Sequence, residues 1–368
     1  MKILLIGSDG LIGKNMIARM ESQKDKDYII YNYDSHTPLD NIRGHIMECE
    51  GIYFLAPLNA DHGEKLYDGS LKMLLDLLRV CHNSCPVLVL SYGQSGELMT
   101  EDEILLHTYA LEVNPRAGIC KLDDVFGKWD TQERNSNVAK LFHAIAGDGE
   151  IPKGNDQELM NLYYIDDVID ALFTFMDTNA LPDAKGYYRP DPKFLYSVTR
   201  GKLVELLHSF SHIRDTKELP NVADPLTKKL YSTYLSYLPS KDFSYPLNMN
   251  KDSRGSFTEI MKTQDRGQLS VNVVKPGVKK GEHWHHTKVE KFLVVSGKAR
   301  ICLRNIIEER VIRYDITGDV MQVIDIPPGY THNIINTGKT DLIVIIWANE
   351  RFDPQNPDTY YLRVENED

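Results

Sequence analysis

Cysteine is sparse in this chain. Cys49, Cys81, Cys85, Cys120 and Cys302 are scattered and odd in number, which excludes a fully paired disulfide framework and suits reduced thiols in a cytoplasm. Cys81 and Cys85 have the spacing of a metal pair, but they close an apolar helical run and read as core thiols. No apolar run approaches the ~20 residues that cross a bilayer. The opening MKILLIG reads as a short strand rather than a leader, because a glycine-rich turn follows at once. Repeats and low-complexity segments are absent. An excess of basic charge is missing too. Forty-two Lys and Arg stand against 53 Asp and Glu, for a formal charge of -11, and nucleic acid and anionic membranes are poor partners for such a surface. What remains is the composition of a soluble globular protein, with 368 residues to fill two ordinary cores.

The first half alternates strand and helix patterns. Lys2 to Ile6 reads as a buried strand. GSDGLIGKNM follows, with Gly7, Gly10 and Gly13, and Leu11 and Ile12 between the last two. Strand, G-x-x-G-x-x-G, then an amphipathic helix to about Met20 is the pattern that brings a pyrophosphate to a helix N-terminus. Tyr28 to Tyr33 forms a second strand with Asp34 at its end. A carboxylate there accepts hydrogen bonds from an adenosine ribose and repels a 2′-phosphate, so NAD(H) fits better than NADP(H). Further strands read at Gly51–Leu58, Pro86–Ser91 and Ala117–Leu122. The expected fold is an α/β Rossmann-type, doubly wound parallel sheet.

Past LPSKDFSYPLNM, 238–249, which carries two prolines and no periodicity, the text turns to short strands: GSFTEIM, QLSVNVV, KFLVVSG, ARICLRN, DVMQVIDIP and DLIVIIW. That is an all-β barrel. The expected domains are 1–240, a linker at 241–250, and a barrel at 251–368. Within the barrel, PGVKKGEHWHHTKVEKFLVVSG spaces its residues G-x5-H-x-H-x4-E-x6-G. His283 and His285, two apart on a strand, share one face, and Glu290 can return on the next strand. PPGYTHNIIN adds His332 after a Pro-Gly turn. Three imidazoles and a carboxylate suit a divalent metal such as zinc. Every histidine after His212 lies in these two stretches: His283, His285, His286 and His332. The spacing resembles the two cupin motifs.

The first half is similar to extended short-chain dehydrogenases of the nucleotide-sugar branch, through its glycine spacing, VFGKW at 125–129 and YYIDDVIDAL at 163–172. Joined to a cupin, the whole chain resembles the CapF family of bacterial capsule and O-antigen synthesis. The likeness is strongest from LYSTYLSYLPSKDFSYPL through DSRGSFTE, GEHWHHTK and PPGYTHNI to FDPQNPDTYYL. It implies a UDP-sugar substrate. In that family the cupin epimerises C3 of a UDP-4-keto-6-deoxy-HexNAc, and the N-terminal domain reduces the C4 ketone with NADPH. The family also implies a cytoplasmic homodimer built on the cupin. Similarity to RmlC-type epimerases, through Arg254-Gly255 and GEHWH, makes Arg254 a candidate substrate contact and His283 either a metal ligand or the base. His286 is a second candidate base if a bulge turns it inward. Tyr330 is a candidate proton donor, and Lys291 could bind phosphate or polarise the ketone.

The chain departs from the family at the reductase. A ketoreductase of this kind needs Tyr-x-x-x-K on one helix, the Tyr to protonate the alkoxide and the Lys to lower its pKa. The one Tyr with a Lys four residues on is Tyr237, in the interdomain joint with Pro239 between. The aligned stretch is SGELM, 95–99, which puts Ser95 and Met99 where Tyr and Lys belong. Ser91 keeps the place of a family serine. The reading is a zinc cupin epimerase with an N-terminal domain that binds a nucleotide or the substrate without reducing. Its rivals are a full epimerase–reductase, with Tyr92 or Tyr109 as an unusual acid, and a non-catalytic sugar-nucleotide scaffold.

Overall fold

The computed structural model describes residues 1–34, 37, 41–56, 70–93, 99–130, 136–178 and 180–365. Leu58, the expected end of the third strand, and Ser95 lie outside them. The chain divides into two compact units. One holds Met1–His208 and Ala223–Pro239, the other Ser209–Val222 and Ser240–Asp368.

In the first unit, β1 (Lys2–Ile6), α1 (Leu11–Ser22), β2 (Ile29–Tyr33), α2 (Ile42–Glu48), β3 (Gly51–Phe54), α3 (Ser70–Cys81), β4 (Val87–Tyr92), α4 (Glu101–Glu112) and β5 (Ala117–Leu122) alternate as expected. β6 (Asp124–Phe126), α5 (Asn137–Ala146), β7 (Leu159–Tyr164), α6 (Ile165–Asp177), β8 (Tyr187–Tyr188), β9 (Leu195–Thr199) and α7 (Arg200–Ser211) follow. Among the described residues the parallel sheet runs β2-β1-β3-β4-β5-β8. Its strands are near-continuous apolar runs because helices cover both faces. Leu5, Leu88, Leu90 and Leu122 pack beneath α1 and α6, while Leu4, Ile52, Val87 and Val89 pack beneath α2, α3 and α4. The strand order reverses between β1 and β3, so the carboxyl end of β1 opens onto the crevice where doubly wound sheets bind ligands. β6, β7 and β9 form a smaller sheet.

The second unit includes α8 (Ile213–Thr216), and the chain then returns to the first unit for α9 (Pro225–Tyr237). Nothing in composition marks this excursion. It is held by main-chain pairing: Leu219 N donates to Lys262 O, and Lys262 N to Lys217 O, both at 2.8 Å. The remaining strands are β10 (Asn250–Asp252), β11 (Gly255–Lys262), β12 (Gln268–Val274), β13 (Lys279–Trp284), β14 (Glu290–Ser296), β15 (Lys298–Asn305), β16 (Val311–Thr317), β17 (Val323–Ile326), β18 (Tyr330–Asn336), β19 (Leu342–Ala348) and β20 (Tyr360–Tyr361). They build two antiparallel sheets, β10-β11-β12-β19-β14-β17 and β16-β15-β18-β13-β20. Phe292, Val294, Val344 and Ile346 of the first meet Ala299, Ile301, Leu303 and Ile334 of the second in one apolar core. This is the cupin architecture expected from the sequence, and no helix among the described residues is long and apolar enough to cross a membrane.

Candidate functional site

The histidine strand is not a regular one. β13 pairs with β18 with a register shift between Gly281 and His283, and Glu282 in the shift has φ +64°. A bulge there realigns the strand so that His283 stands opposite His332. Gly281 is required at this crossing. A Cβ on it would lie 2.7 Å from His332 O and 2.8 Å from Asn333 Cα. Glu282 is itself tied down, accepting from Asn333 Nδ2 at 2.9 Å and from Val364 N at 2.6 Å.

One sheet supplies His283, His285 just past the end of β13, and His332. The facing sheet supplies Glu290 at the head of β14. A nitrogen or oxygen of each lies within 4.8 Å of the others. Glu290 Oε2 is 3.2 Å from His332 Nε2 and 3.5 Å from His285 Nε2. The His283 and His332 rings are 4.6 Å apart. His285 Nδ1 lies 2.6 Å from the main-chain carbonyl of Asp358. A carbonyl only accepts, so Nδ1 carries the proton and Nε2 presents its lone pair to the centre. His332 Nδ1 faces the Tyr330 carbonyl, 3.4 Å away, in the same sense.

Two imidazole lone pairs therefore point at a carboxylate oxygen, and all three atoms are buried with no hydrogen-bond partner. Such a group of acceptors is unfavourable unless a proton or a cation sits among them. The donor set, three nitrogens and a carboxylate oxygen on three strands and a clamped turn, fits a divalent metal of the zinc type.

The electrostatics fit the same purpose. Burial, with repulsion from His332, lowers the His283 pKa to about 4, so its ring is neutral at physiological pH. Burial pulls His285 down as well, but the adjacent Glu290 carboxylate and the Asp358 carbonyl together outweigh it and the net shift is upward. Burial pushes the Glu290 carboxyl up, yet bonding to His285 and His332 holds it well below the usual carboxylate range. In the metal-free protein the two histidines have opposite linkage. As pH falls from 6.5 toward 4 the unfolded state protonates His283's imidazole first, which withdraws stability. The His285 contribution is full at low pH and is lost as pH rises through its elevated pKa. Titration of the imidazole nitrogens by NMR is expected to place the two on opposite sides of 6.5 and to show neither titrating once zinc is bound. Identical pKa values near 6.5 would contradict this geometry.

Other candidates are gathered in part. Tyr330 and His332 share a face of β18, and Tyr330 is half-buried against the barrel core. Its hydroxyl has no partner among the described residues. His286 is exposed instead, and its ring packs on Trp284 and Tyr360 at 4.4 and 4.9 Å. β13 ends at Trp284, and the bulge that could turn a side chain inward lies upstream, so it serves His283 and not His286. Lys291 follows Glu290 on a regular strand and so points to the other face, where it pairs with Asp325 at 2.6 Å. Arg254 is exposed and forked onto Asp252 at 2.7 and 3.0 Å. These two cations have ion-pair partners outside the cluster.

In the first unit the glycine loop makes a close turn between β1 and α1. Gly7 has φ +84°, and a Cβ on Gly13 would lie 2.5 Å from Gly7 O. Gly10 caps α1, with Leu11 and Ile12 buried in its first turn. The two later landmarks close around it. Asn15 Nδ2 donates to Lys128 O at 3.2 Å, and Lys128 Nζ meets Asp166 at 2.8 Å. Asp34 accepts from Thr37 Oγ1 at 2.6 Å at the end of β2. Ser91, fully buried, donates to Glu103 Oε1 at 2.6 Å. Lys121 Nζ is 3.7 Å from the same oxygen. Met99 packs into the apolar cluster under α4, which also encloses Tyr109.

Residues 250–360 match the polysaccharide biosynthesis C-terminal domain. A solved CapF from Staphylococcus aureus superposes with a TM-score of 0.90 at 39% identity, over 99% of this chain and 100% of its own. The chain belongs to the CapF family of capsular polysaccharide biosynthesis proteins. A second CapF structure, with the inhibitor 3-isopropenyl-tropolone, gives 0.89 at 39% identity over the same shares. A Pseudomonas aeruginosa relative of this CapF-family chain, UDP-2-acetamido-2,6-beta-L-arabino-hexul-4-ose reductase, is 34% identical over 99% of both chains.

Sequence reasoning missed the residues that support the histidine cluster. Asp358, Glu282 and Asn333 belong to no spacing rule. The one signal available was FDPQNPDTYYL, a turn-rich segment too ordered in composition to be a loose tail. It also missed the inward face of β12, where Gln268, Ser270 and Asn272 are buried. Gln268, Ala348 and Glu290 form one cross-strand row.

Proposed function

We propose that this chain is a nucleotide-sugar modifying enzyme of capsule or O-antigen synthesis whose cupin domain epimerises C3 of a UDP-4-keto-6-deoxy-HexNAc, and whose N-terminal domain binds a nucleotide without transferring hydride. The convergence of His283, His285, His332 and Glu290 into one buried set of acceptors carries this reading. The P. aeruginosa relative is named for a UDP-linked 4-ulose, which supports the substrate class. A tropolone offers two adjacent oxygens to a cation, so the inhibitor found with CapF supports a metal in this one.

A divalent cation held by the four residues would stabilise negative charge on the C4 oxygen. The chain's own task is to move one proton. A base takes it from C3, alpha to the ketone, leaving an enolate, and a donor returns one to the opposite face. Tyr330 is proposed as that donor, since it shares the face of β18 with His332 and its hydroxyl has no partner among the described residues. His283, neutral at working pH, serves as ligand; His286 and Lys291 are not proposed for chemistry, because both point outward. A homodimer through the cupin and a cytoplasmic location are proposed from the family. In the first unit, the glycine loop and Asp34 favour NAD(H) over NADP(H).

The direct test is deuterium incorporation at C3 of a UDP-4-keto-6-deoxy-HexNAc in D2O with zinc-loaded protein. Exchange at C3, slowed on the order of 10²-fold or more in Tyr330→Phe, is the expected result. No exchange, with the sugar nucleotide still bound, would leave a binding scaffold in its place.

A further inference from the structure

The C-terminal segment closes over the histidine strand at two points, one on each side of His283. Upstream, Leu362 N donates to Glu282 O at 3.0 Å and Val364 N to the Glu282 carboxylate at 2.6 Å. Alongside, β20 pairs with β13 at His283 and Trp284. Downstream, Asp358 makes two kinds of contact. Its carbonyl receives the His285 Nδ1 proton at 2.6 Å. Its carboxylate receives the main-chain N–H groups of His286, Thr287 and Lys288, each at 2.9 Å, and the Thr287 hydroxyl at 3.1 Å.

We propose that Asp358 is a positioning residue of the metal site: it fixes the tautomer and aim of His285 through its carbonyl, and its carboxylate holds the 286–288 turn so that this carbonyl stays in register with the ring. The proposal rests on the metal reading above. The physical reason is placement. His285 lies beyond the last residue of β13, where its main-chain carbonyl keeps one bond, from Gly329 N at 2.9 Å; that bond does not orient the ring, and an imidazole ligand is normally oriented by whatever its second nitrogen bonds. Here that partner comes from a segment more than seventy residues away in sequence. Asp358 has φ +41°, a left-handed conformation that Asp and Asn tolerate better than other residues with a Cβ. Three successive amides on one carboxylate make an anion nest in which the anion is the protein's own.

The test uses the full chain and cobalt(II) as the metal probe, with its dissociation constant from chelator competition and its visible absorption as a record of ligand geometry. Asp358→Ala is expected to weaken cobalt binding about 10- to 100-fold and to alter the absorption bands. Asp358→Asn, which keeps the φ preference and one acceptor oxygen, recovers part of both. Arg304→Ala is the control for the segment as a whole, because Arg304 holds the carbonyls of Arg363 and Val364 at 2.8 Å each and does not touch His285. It is expected to lower thermal stability with the cobalt spectrum unchanged. Unchanged affinity and spectrum in Asp358→Ala would overturn the proposal while the metal reading stands. Equal losses in Asp358→Ala and Arg304→Ala, tracking their thermal stabilities, would also overturn it by making the segment merely structural. Failure of the unmodified protein to bind cobalt or zinc at all would remove the metal reading itself, and this proposal with it.

Discussion

Glu290→Gln is expected to abolish stoichiometric zinc binding and to slow C3 exchange on the order of 10³-fold. Glutamine keeps the size of the side chain and removes its charge. In the native site the carboxylate oxygen faces the lone pairs of His285 and His332 at 3.5 and 3.2 Å, an arrangement that a cation makes favourable. An amide in the same place turns an N–H donor toward one imidazole, so the metal-free variant satisfies a buried acceptor that the native metal-free protein leaves unpaired. Two stability effects of opposite sign follow. Without metal the variant is as stable as the native protein or more so. With zinc at a thousandfold excess over Kd the native protein gains about 4 kcal/mol, on the order of 10 °C in Tm, and the variant gains none. Zinc content, thermal unfolding with and without zinc, and the exchange rate read these three effects. Full zinc retention with an unchanged rate would mean that the cluster is not the metal centre.

The second large effect concerns hydride transfer. Oxidation of NADH or NADPH by the UDP-4-keto-sugar is expected at no more than about 10⁻³ of the C3 exchange rate, since a general acid alone supplies 10²–10⁴-fold. Reduction of a ketone leaves an alkoxide that a nearby acid must protonate. In this chain the groups around the relevant strand ends are committed elsewhere. Ser91 gives its hydroxyl proton to Glu103, which also caps α4 through Thr100 N at 2.9 Å. Lys121 stands 3.7 Å from that carboxylate, and both are buried. Met99 contributes an apolar side chain to the cluster under α4. Tyr109 is enclosed in the same cluster, and burial raises its pKa. Tyr92, half-buried at the end of β4 on the other face, is the remaining candidate among the described residues. The absorbance of the cofactor, followed in the cuvette used for exchange, decides the matter. Stoichiometric oxidation would establish the full epimerase–reductase, and its loss in Tyr92→Phe would name the acid.

Much of this was readable from residue order because the signals are local. A glycine loop between a strand and a helix needs only close backbone approach, and Gly13 against Gly7 shows that approach. Histidines two apart on an extended segment share a face by the period of the chain, even though β13 ends one residue short of His285. The register of β13 and β18 then sets His283 opposite His332, as the two motifs imply together.

Other features depended on partners distant in sequence. His286 and Lys291 sit beside true members of the cluster, and adjacency favoured them. On a regular strand a neighbour points the opposite way, and past a strand end it follows the turn, so both face outward. The polar alternation of QLSVNVV misleads in the same manner. Taken alone it would bury Leu269, Val271 and Val273. The fold buries Gln268, Ser270 and Asn272, because that face of β12 looks toward the histidine sheet. Which face of a strand is interior is decided by what lies across from it. Asp358 is the extreme case. Aspartate in a turn-rich segment carries no local signature of a contact with His285, which forms only once the chain has brought residue 358 back over the end of β13. Residue order was enough for the two folds, for the gathering of His283, His285, Glu290 and His332, and for the lack of a Tyr–Lys pair on one helix. Tertiary structure alone decided which neighbours share the site and what holds His285 in place, since hydrogen bonds and burial between distant segments form only after the sheets have closed.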